Sequence, residues 1–481
     1  GGHLGTAAVA EGRRGLADQV HRQLREAIRA GRLAAGQQLP PSRLLAEQLG
    51  VSRKTVAQAY AKLTLDRLIV TRTGTGTFVA SRTPSAPRAL ASDDLAGRLV
   101  ARRWQTLERP LEHPQPHARV RYEFIAGASS PRLFPEEEWR RCAMHALRRA
   151  SDQRGFYARP EGLPELRDAI ARHIGFSRGV DCDAGDLIVT AGAQQALDLI
   201  ARVLVEPGAV VAMEDPGYLL ARNVFEAQRA SVASVPVDDE GIRVDAIPDD
   251  ARLIYTTPTH QFPLGMPMSM QRRHALLARA RELGAIVIED DYDSEFRYSA
   301  QALEPLKTLD RAGLVAYVGT FSKSLCPDLR LGYAIAPPAL RAALVNAKYL
   351  SDVHSPDLSQ RALARFMTDG HLLRHVRRLH EVFNQRRERL LARLAGDLSP
   401  WLEPLPAIAG YHIAVLFRRP IDVAQLCHRA RRVDVGLYPL DEFHHGHDGR
   451  AGLLIGFGAI EAEEIDPALD RVPDVLQRLS P

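Results

Sequence analysis

Beyond residue 185 five short apolar runs recur: DLIVTAG (186–192), AVVAMED (209–215), RLIYTTP (252–258), AIVIEDD (285–291) and LVAYVGT (314–320), with stretches of helical character between them. Each run has the length of a strand and is bounded by Gly, Pro or acidic residues. Strands that alternate with helices in this way dictate an α/β fold: a mostly parallel sheet with helices on both faces. In such a sheet ligands bind beyond the carboxyl ends of the strands. The residues that follow each run are therefore where chemistry is expected.

Those residues form an unusual set. Gly192 ends the first run, and Ala193 and Gln194 open a helix whose free N–H groups make an anion site. Tyr218 follows a Pro-Gly turn, where its ring can stack on a planar ligand or simply pack. The loop TTPTHQFPLG carries His260 and Gln261 as polar tips. IEDDYDSEF supplies Glu289, Asp290, Asp291, Asp293 and Glu295, of which the strand direction points one carboxylate inward. No histidine pair accompanies them at ligand spacing, so no metal site is expected. GTFSKSLCPDLRLGY adds Thr320, Ser322, Lys323 and Arg330 within one strand–loop turn. Lysine is among the residues least often buried without a partner. A lysine in a dry pocket is a nucleophile for carbonyls, and an inward aspartate keeps a pyridine nitrogen protonated. Hydroxyls, a helix N-terminus and an arginine hold a phosphate, while an aromatic stacks on the ring. These are the requirements of pyridoxal 5′-phosphate.

The other end of the chain has a different character. Residues 1–90 hold fourteen Lys and Arg against five Asp and Glu, a balance of +9, so the rest of this +5 chain carries −4. A basic head on a slightly acidic body suggests a polyanionic partner for the head alone. Leu16, Val20, Leu24 and Ile28 repeat at helical spacing. A second short helix is expected in SRLLAEQLG, with Ser42 as N-cap, Leu44, Leu45 and Leu49 inward and Gly50 as C-cap. Ser52 caps a third helix with Val56, Ala59, Tyr60 and Leu63 on its apolar face. Two short helices joined by LGVS form a helix-turn-helix, and the first turn of the third helix presents Arg53, Lys54 and Thr55 to phosphates or base edges. LIVTRTGTGTFVA then reads as a β-hairpin with a Gly-Thr-Gly tip and Arg72 beside it, so that residues 11–80 make a winged DNA-binding domain.

Residues 81–118 are rich in proline, mix charge signs and lack a sustained period. They read as an interdomain linker with one short helix around Leu95–Trp104, which leaves 119–481 as the body. The four cysteines, Cys142, Cys182, Cys326 and Cys427, have no CxxC spacing, which fits a reducing cytoplasm rather than a disulfide framework. No apolar run approaches a membrane span, and the opening GGHLGTAAVAEGRRG lacks the order of a secretory signal.

LPPSRLLAEQLGVSRKTVAQAYAKL together with TRTGTGTFV resembles the winged helix of the GntR family of bacterial regulators. The resemblance implies double-stranded operator DNA as a partner, with Arg43, Ser52, Arg53, Thr55 and Gly76 as contacts. Asp66–Arg67 departs from the family, which usually has a glycine there. Residues 120–475 resemble fold-type I aminotransferases, whose fold includes a smaller C-terminal α+β subdomain. Head and body together resemble the MocR/GabR subfamily, which includes vitamin B6 regulators. By that resemblance Lys323 is the Schiff-base lysine, Asp290 the partner of the pyridine nitrogen and Tyr292 the neighbour of the ring oxygen. Ala193, Gln194, Thr320, Ser322 and Arg330 form the phosphate cup, Tyr218 stacks on the ring, and Tyr157 reaches the phosphate of a second subunit, which implies a homodimer.

Two features depart from an aminotransferase. Leu454 in GLLIGFGAI stands where an arginine grips the substrate carboxylate, with Arg450 nearby as a substitute, and HQFPLG replaces the NPTG type of loop. His444, His445 and His447 are expected in a solvated loop. Three readings follow: a regulator that senses pyridoxal phosphate, an amine or an amino acid; an active aminotransferase with a DNA-binding appendage; and a DNA-binding protein whose body is an inert dimerisation scaffold.

Overall fold

The computed structural model describes residues 15–80, 95–107, 120–149, 154–293, 295–299, 303–445 and 449–480. The chain divides between Val100 and Ala101 into two compact units.

In the first unit the helices Leu16–Arg29, Ser42–Leu49 and Arg53–Leu65 enclose a small core around Val20, Leu24, Leu45, Val56 and Leu63. All four residues expected on the inner face of the third helix are buried. Ser52 caps that helix, its Oγ accepting the Thr55 N–H at 3.1 Å. Ser42 does not cap the second helix: it is already the first helical residue, Pro41 precedes it, and its side chain makes no cap bond. Leu44 is 46% exposed, and Ala46 turns inward instead. The hairpin Ile69–Arg72 and Gly76–Val79 is present, and Gln38–Leu39 adds a third antiparallel strand. That strand falls where the sequence shows only helix breakers. Arg67 occupies the position where a glycine is usual, at φ 57, in the left-handed region that costs a side-chain-bearing residue about 1 kcal/mol. The single helix expected near Leu95–Trp104 is two short turns, Leu95–Arg98 and Arg102–Thr106.

The second unit is built on an eight-stranded sheet in the order Leu187–Thr190, Gly332–Ile335, Val315–Thr320, Ile286–Asp291, Ala251–Thr256, Val210–Asp215, Ser231–Asp238 and Gly241–Ile242. The pairings from Val315–Thr320 through to Ser231–Asp238 are parallel. Gly332–Ile335 runs antiparallel to both its neighbours. All five apolar runs are strands of this sheet. Alternate residues face opposite layers, as a period of two requires: Ile288, Ala316 and Val318 join the core beneath helices Gly192–Leu204 and Leu219–Ala227, while Tyr317, Tyr333 and Ile335 join the opposite one. Helix His371–Ala395 leads to the smaller subdomain, where Leu402–Pro404, His412–Phe417 and Gly452–Gly456 form an antiparallel sheet. The first segment of the body returns to this subdomain, where Tyr122–Glu123 pairs with Val435–Gly436. No helix among the described residues is long and apolar enough to cross a membrane.

Candidate functional site

The parallel strands end together. In register, Asp290 lies opposite Val318, and Tyr255 opposite Ile288. The carboxyl ends at Thr320, Asp291, Thr256 and Asp215 therefore form one rim, and Lys323, Tyr292, the 257–265 loop and Tyr218 follow directly from it.

Among the described residues, Lys323 Nζ has one hydrogen-bond partner, the Gly127 carbonyl oxygen at 3.4 Å. Burial lowers its affinity for a proton, and the charges of Asp293 and then Asp290 oppose that effect. Asp290 is pushed up to about 7, chiefly by burial. The Tyr255 hydroxyl donates to Asp290 Oδ2, whereas Oδ1 is buried with no protein partner. Tyr218 precedes helix Leu219–Ala227 and meets Phe262 edge-on at 5.6 Å between ring centres. Burial, then the charge of Asp290, push its hydroxyl up to about 12. At the start of helix Gly192–Leu204, Gly192 has φ 74, and a Cβ there would lie 2.6 Å from Arg330 Nη2. That clearance lets Arg330, itself left-handed at φ 49, lie across the helix N-terminus and donate to the Ala191 carbonyl. Thr320 Oγ1 accepts from the Ser322 N–H at 3.1 Å. Gln194 donates to the Leu220 carbonyl, and its Oε1 is buried without a partner.

The geometry fits pyridoxal 5′-phosphate. The unbonded Asp290 Oδ1 is the acceptor that a protonated ring nitrogen needs, and the arginine-lined helix start suits a dianion. Tyr157 stands apart, 85% exposed and edge-on to His354 at 6.1 Å.

Several expectations are corrected. His260 and Gln261 are not polar tips; each is 1% exposed. Gln261 donates to the Pro216 carbonyl and accepts from the Leu264 N–H, and Thr257 Oγ1 accepts from the Phe262 N–H, so the loop folds inward on its own hydrogen bonds. Nor is one carboxylate alone turned inward, since Glu289, Asp290, Asp291 and Asp293 are all buried. Glu289 accepts from the Leu306 and Lys307 N–H groups at 2.8 Å each. Asp291, on the face opposite Asp290, accepts from the Tyr317 hydroxyl and from Arg178 at 3.1 Å. Burial works against the charge of Arg178, yet Asp291, Tyr317, Tyr333 and Glu295 hold it firmly protonated. Leu454 is buried in an apolar cluster with Ala414 and Leu440. Arg450 is no substitute for an arginine there, because it is turned to Glu403 and the Phe417 carbonyl. His445 is exposed, its backbone N–H donating to Asp215, and His447 lies outside the described residues.

Sequence reasoning missed Tyr255 and His412 as parts of this site, and it named His260 only as an exposed tip. His260 Nδ1 bonds Asp293 at 2.9 Å, and its ring stacks on His412 at 4.4 Å. Tyr255 was legible in principle, since strand periodicity puts it on the face of Asp290. His412 comes from the small subdomain, and nothing local signals it. His260, Asp293 and His412 bring donor atoms within 4.8 Å of one another. The two imidazole planes are 30° apart.

On the head, Arg43, Arg53, Lys54 and Arg72 are exposed. Arg43 is 3.5 Å from Glu47, and Arg72 lies over the Phe78 ring at 5.1 Å. Gly76 has φ 128 and no room for a Cβ beside Gln38, which donates to the Thr75 carbonyl at the hairpin tip. Thr55 shares a side-chain hydrogen bond of 2.8 Å with its capping partner Ser52, so these two face the same helix end as Arg53 and Lys54.

Comparison with known proteins agrees with both halves. The pattern of bacterial regulatory proteins of the gntR family matches residues 16–79, and that of aminotransferase class I and II matches residues 129–418. The chain is 34% identical over 446 residues to the probable rhizopine catabolism regulatory protein MocR of Rhizobium meliloti, covering 92% of this chain and 90% of that protein. It is 30% identical over 460 residues to the HTH-type pyridoxine biosynthesis transcriptional regulator PdxR of Corynebacterium glutamicum, covering 95% of each. Among solved structures, the kynurenine aminotransferase of Pyrococcus horikoshii superimposes with a TM-score of 0.72 at 26% identity, over 80% of this chain and 98% of that one.

Proposed function

The chain belongs to the MocR/GabR subfamily of GntR-family transcriptional regulators, and from that membership we propose that it binds operator DNA with its winged head and reports there on pyridoxal 5′-phosphate, or on a small amine or amino acid, held at Lys323. The observation that carries the reading is the buried, unbonded Asp290 Oδ1 at the same rim of strand ends as Lys323, whose ammonium is almost unbonded. A buried polar atom without a partner costs about 1–3 kcal/mol, and a protonated ring nitrogen removes that cost.

When bound, the cofactor supplies a reactive aldehyde carbon and an electron-withdrawing ring. Asp290 would accept the ring N–H while Tyr255 fixes its other oxygen, and Tyr218 would cover one ring face. Tyr292 would meet the ring oxygen. Thr320, Ser322, Arg330 and the N–H groups of Ala193 and Gln194 would receive the phosphate. The protein acts as a homodimer in which Tyr157 serves the partner's site. The exposure of Phe156, Tyr157, Phe176 and Leu350, each at least 80%, supports a second copy covering this region. On DNA, Arg53, Lys54 and Thr55 enter the major groove, with Arg43, Ser52, Arg72 and Gly76 on the backbone, a role that supports a cytoplasmic location.

Leu454 and the outward Arg450 leave the arginine position of an aminotransferase apolar. An ionised carboxylate buried there unpaired would be costly, which favours pyridoxal phosphate itself as the signal over an amino acid, and favours regulation over turnover. A mobility-shift assay tests this, with DNA from upstream of the protein's own gene and with cofactor-free protein or added pyridoxal phosphate. A change in affinity or half-site pattern is expected; identical binding would leave the cofactor a fixed group and turn the search to amines that displace Lys323.

A further inference from the structure

The start of helix Gly192–Leu204 is held by more than the residues that line it. Ala191 is its N-cap, and a methyl side chain makes no cap bond. Gln195 takes that part from four positions further on. Its Oε1 accepts the Ala191 N–H at 2.7 Å, and it also accepts an ammonium proton of Lys348 at 2.8 Å. Its Nε2 donates to Asp352 Oδ2 at 3.0 Å and to Ser351 Oγ at 3.3 Å. The reversed amide would set its N–H groups against the donors of Lys348 and Ala191, so the side chain has one orientation.

Lys348 stands on helix Pro338–Asp352 and is fully buried. Its other two protons go to Asp352 at 2.7 Å and to Ser355 at 2.8 Å. Asp352 neutralises the ammonium, so Gln195 passes on a fixed geometry rather than a charge. The rest of the turn is equally constrained. Thr190 Oγ1 donates to the Gly192 carbonyl at 2.8 Å. A Cβ on Gly332 would lie 2.8 Å from the Gly192 carbonyl carbon and 3.0 Å from the Ala193 nitrogen, so that strand presses directly on the turn. A helix start leaves its first N–H groups without partners in the helix. Hydrogen bonds weaken steeply when donors are misaligned, so an anion site made of backbone N–H groups depends on what holds the turn still.

We propose that Lys348, acting through Gln195, is a positioning residue of the phosphate site: it fixes the Ala191 cap so that the N–H groups of Ala193 and Gln194 converge on one anion. This rests on reading that helix start as the receiver of the cofactor's phosphate. Lys348 itself does not touch the ligand, since all three of its protons are already used.

The test uses full-length, cofactor-free protein. Dissociation constants are measured by equilibrium dialysis for pyridoxal phosphate and for pyridoxal, which has the same ring and aldehyde but no phosphate. Urea unfolding is followed in parallel. K348M and Q195M are each expected to cut the preference for the phosphorylated ligand about tenfold, the worth of roughly one hydrogen bond, and to leave pyridoxal binding unchanged. S355A removes a partner of Lys348 other than Gln195, so it should lower stability and keep the preference. A lysine that only holds the fold would leave the preference unmoved or weaken both ligands alike. Either result in Q195M, or in folded K348M, would overturn the proposal. Should K348M fail to fold, Q195M decides alone, because it leaves Lys348 bonded to Asp352 and Ser355. Wild-type protein that binds the two ligands equally would instead defeat the reading of this helix start as a phosphate site.

Discussion

Lys348 and Lys323 are both lysines of the body whose proton affinity burial lowers, yet they are held in opposite ways. Lys348 is 0% exposed and donates to Gln195, Asp352 and Ser355 at 2.7–2.8 Å, so every ammonium proton is used. Among the described residues Lys323 makes a single hydrogen bond, of 3.4 Å. Neighbouring aspartates on opposite faces of one strand each keep one buried oxygen unbonded and differ in what holds the other: Arg178 and Tyr317 for Asp291, Tyr255 alone for Asp290. The lysine whose ammonium protons are all used holds the fold, and the one with protons to spare stands at the strand ends where a ligand can complete its bonding.

The contrast breaks most visibly at Arg178. R178M strands Asp291 and Glu295 in the interior and is expected to cost the body about 3–5 kcal/mol in urea unfolding; a loss below 1 kcal/mol would show that the network is not the anchor described. Next in size is a pH effect. Asp290 and Glu289 both titrate at about 7 when folded, against ordinary values of 3.8 and 4.5, with burial the chief cause. Raised values favour the fold while both groups keep their protons and cease to do so as pH rises through 7. Their contribution is full below about pH 4, where the unfolded carboxylates keep their protons too, so cofactor-free protein should lose several kcal/mol between about pH 4 and pH 7 and change little above that. Glu295 lies outside that window: burial opposes its charge, but His173 and Arg178 bring it down to about 2. D290N should flatten roughly half of the pH slope.

The same variant should weaken retention of pyridoxal phosphate about 100-fold, near 2.7 kcal/mol, at undiminished thermal stability; parallel losses of both would make Asp290 structural. K348M should cost about 2 kcal/mol, and K323M less than about 1, because no good bond is lost. Equal costs in unfolding would erase the distinction between the two lysines. The smallest effect is expected in the head, where R67G should relieve about 1 kcal/mol of left-handed strain, seen as slower amide exchange in helix Arg53–Leu65.

Much of this was legible because it is local. Five of the eight strands of the large sheet, the third helix of the head and the order of Lys323, Asp290 and Tyr218 all follow from periodicity and from what stands at a strand end. The failures share a cause, which is partners remote in sequence. TTPTHQFPLG reads as an exposed loop because Pro, Gly and His usually meet water, and it is buried because Asp293 and residues 410–412 close over it. Ser42 has a cap's chemistry but stands one position too late, behind Pro41. Gln38–Leu39 is too short to show alternation and exists only because the hairpin offers it an edge.

One pairing has a consequence in time. The body's first strand, Tyr122–Glu123, finds its partner at Val435–Gly436, and Ser130 bonds to the Gly458 carbonyl. As a ribosome makes the chain, that edge and the buried Phe124 behind it wait through roughly 300 residues, on the order of 15–60 s at about 5–20 residues per second. The head has all its core partners by Val79. Each newly made molecule is therefore a finished head followed by an unfinished body, and for that interval it holds an unpaired strand edge.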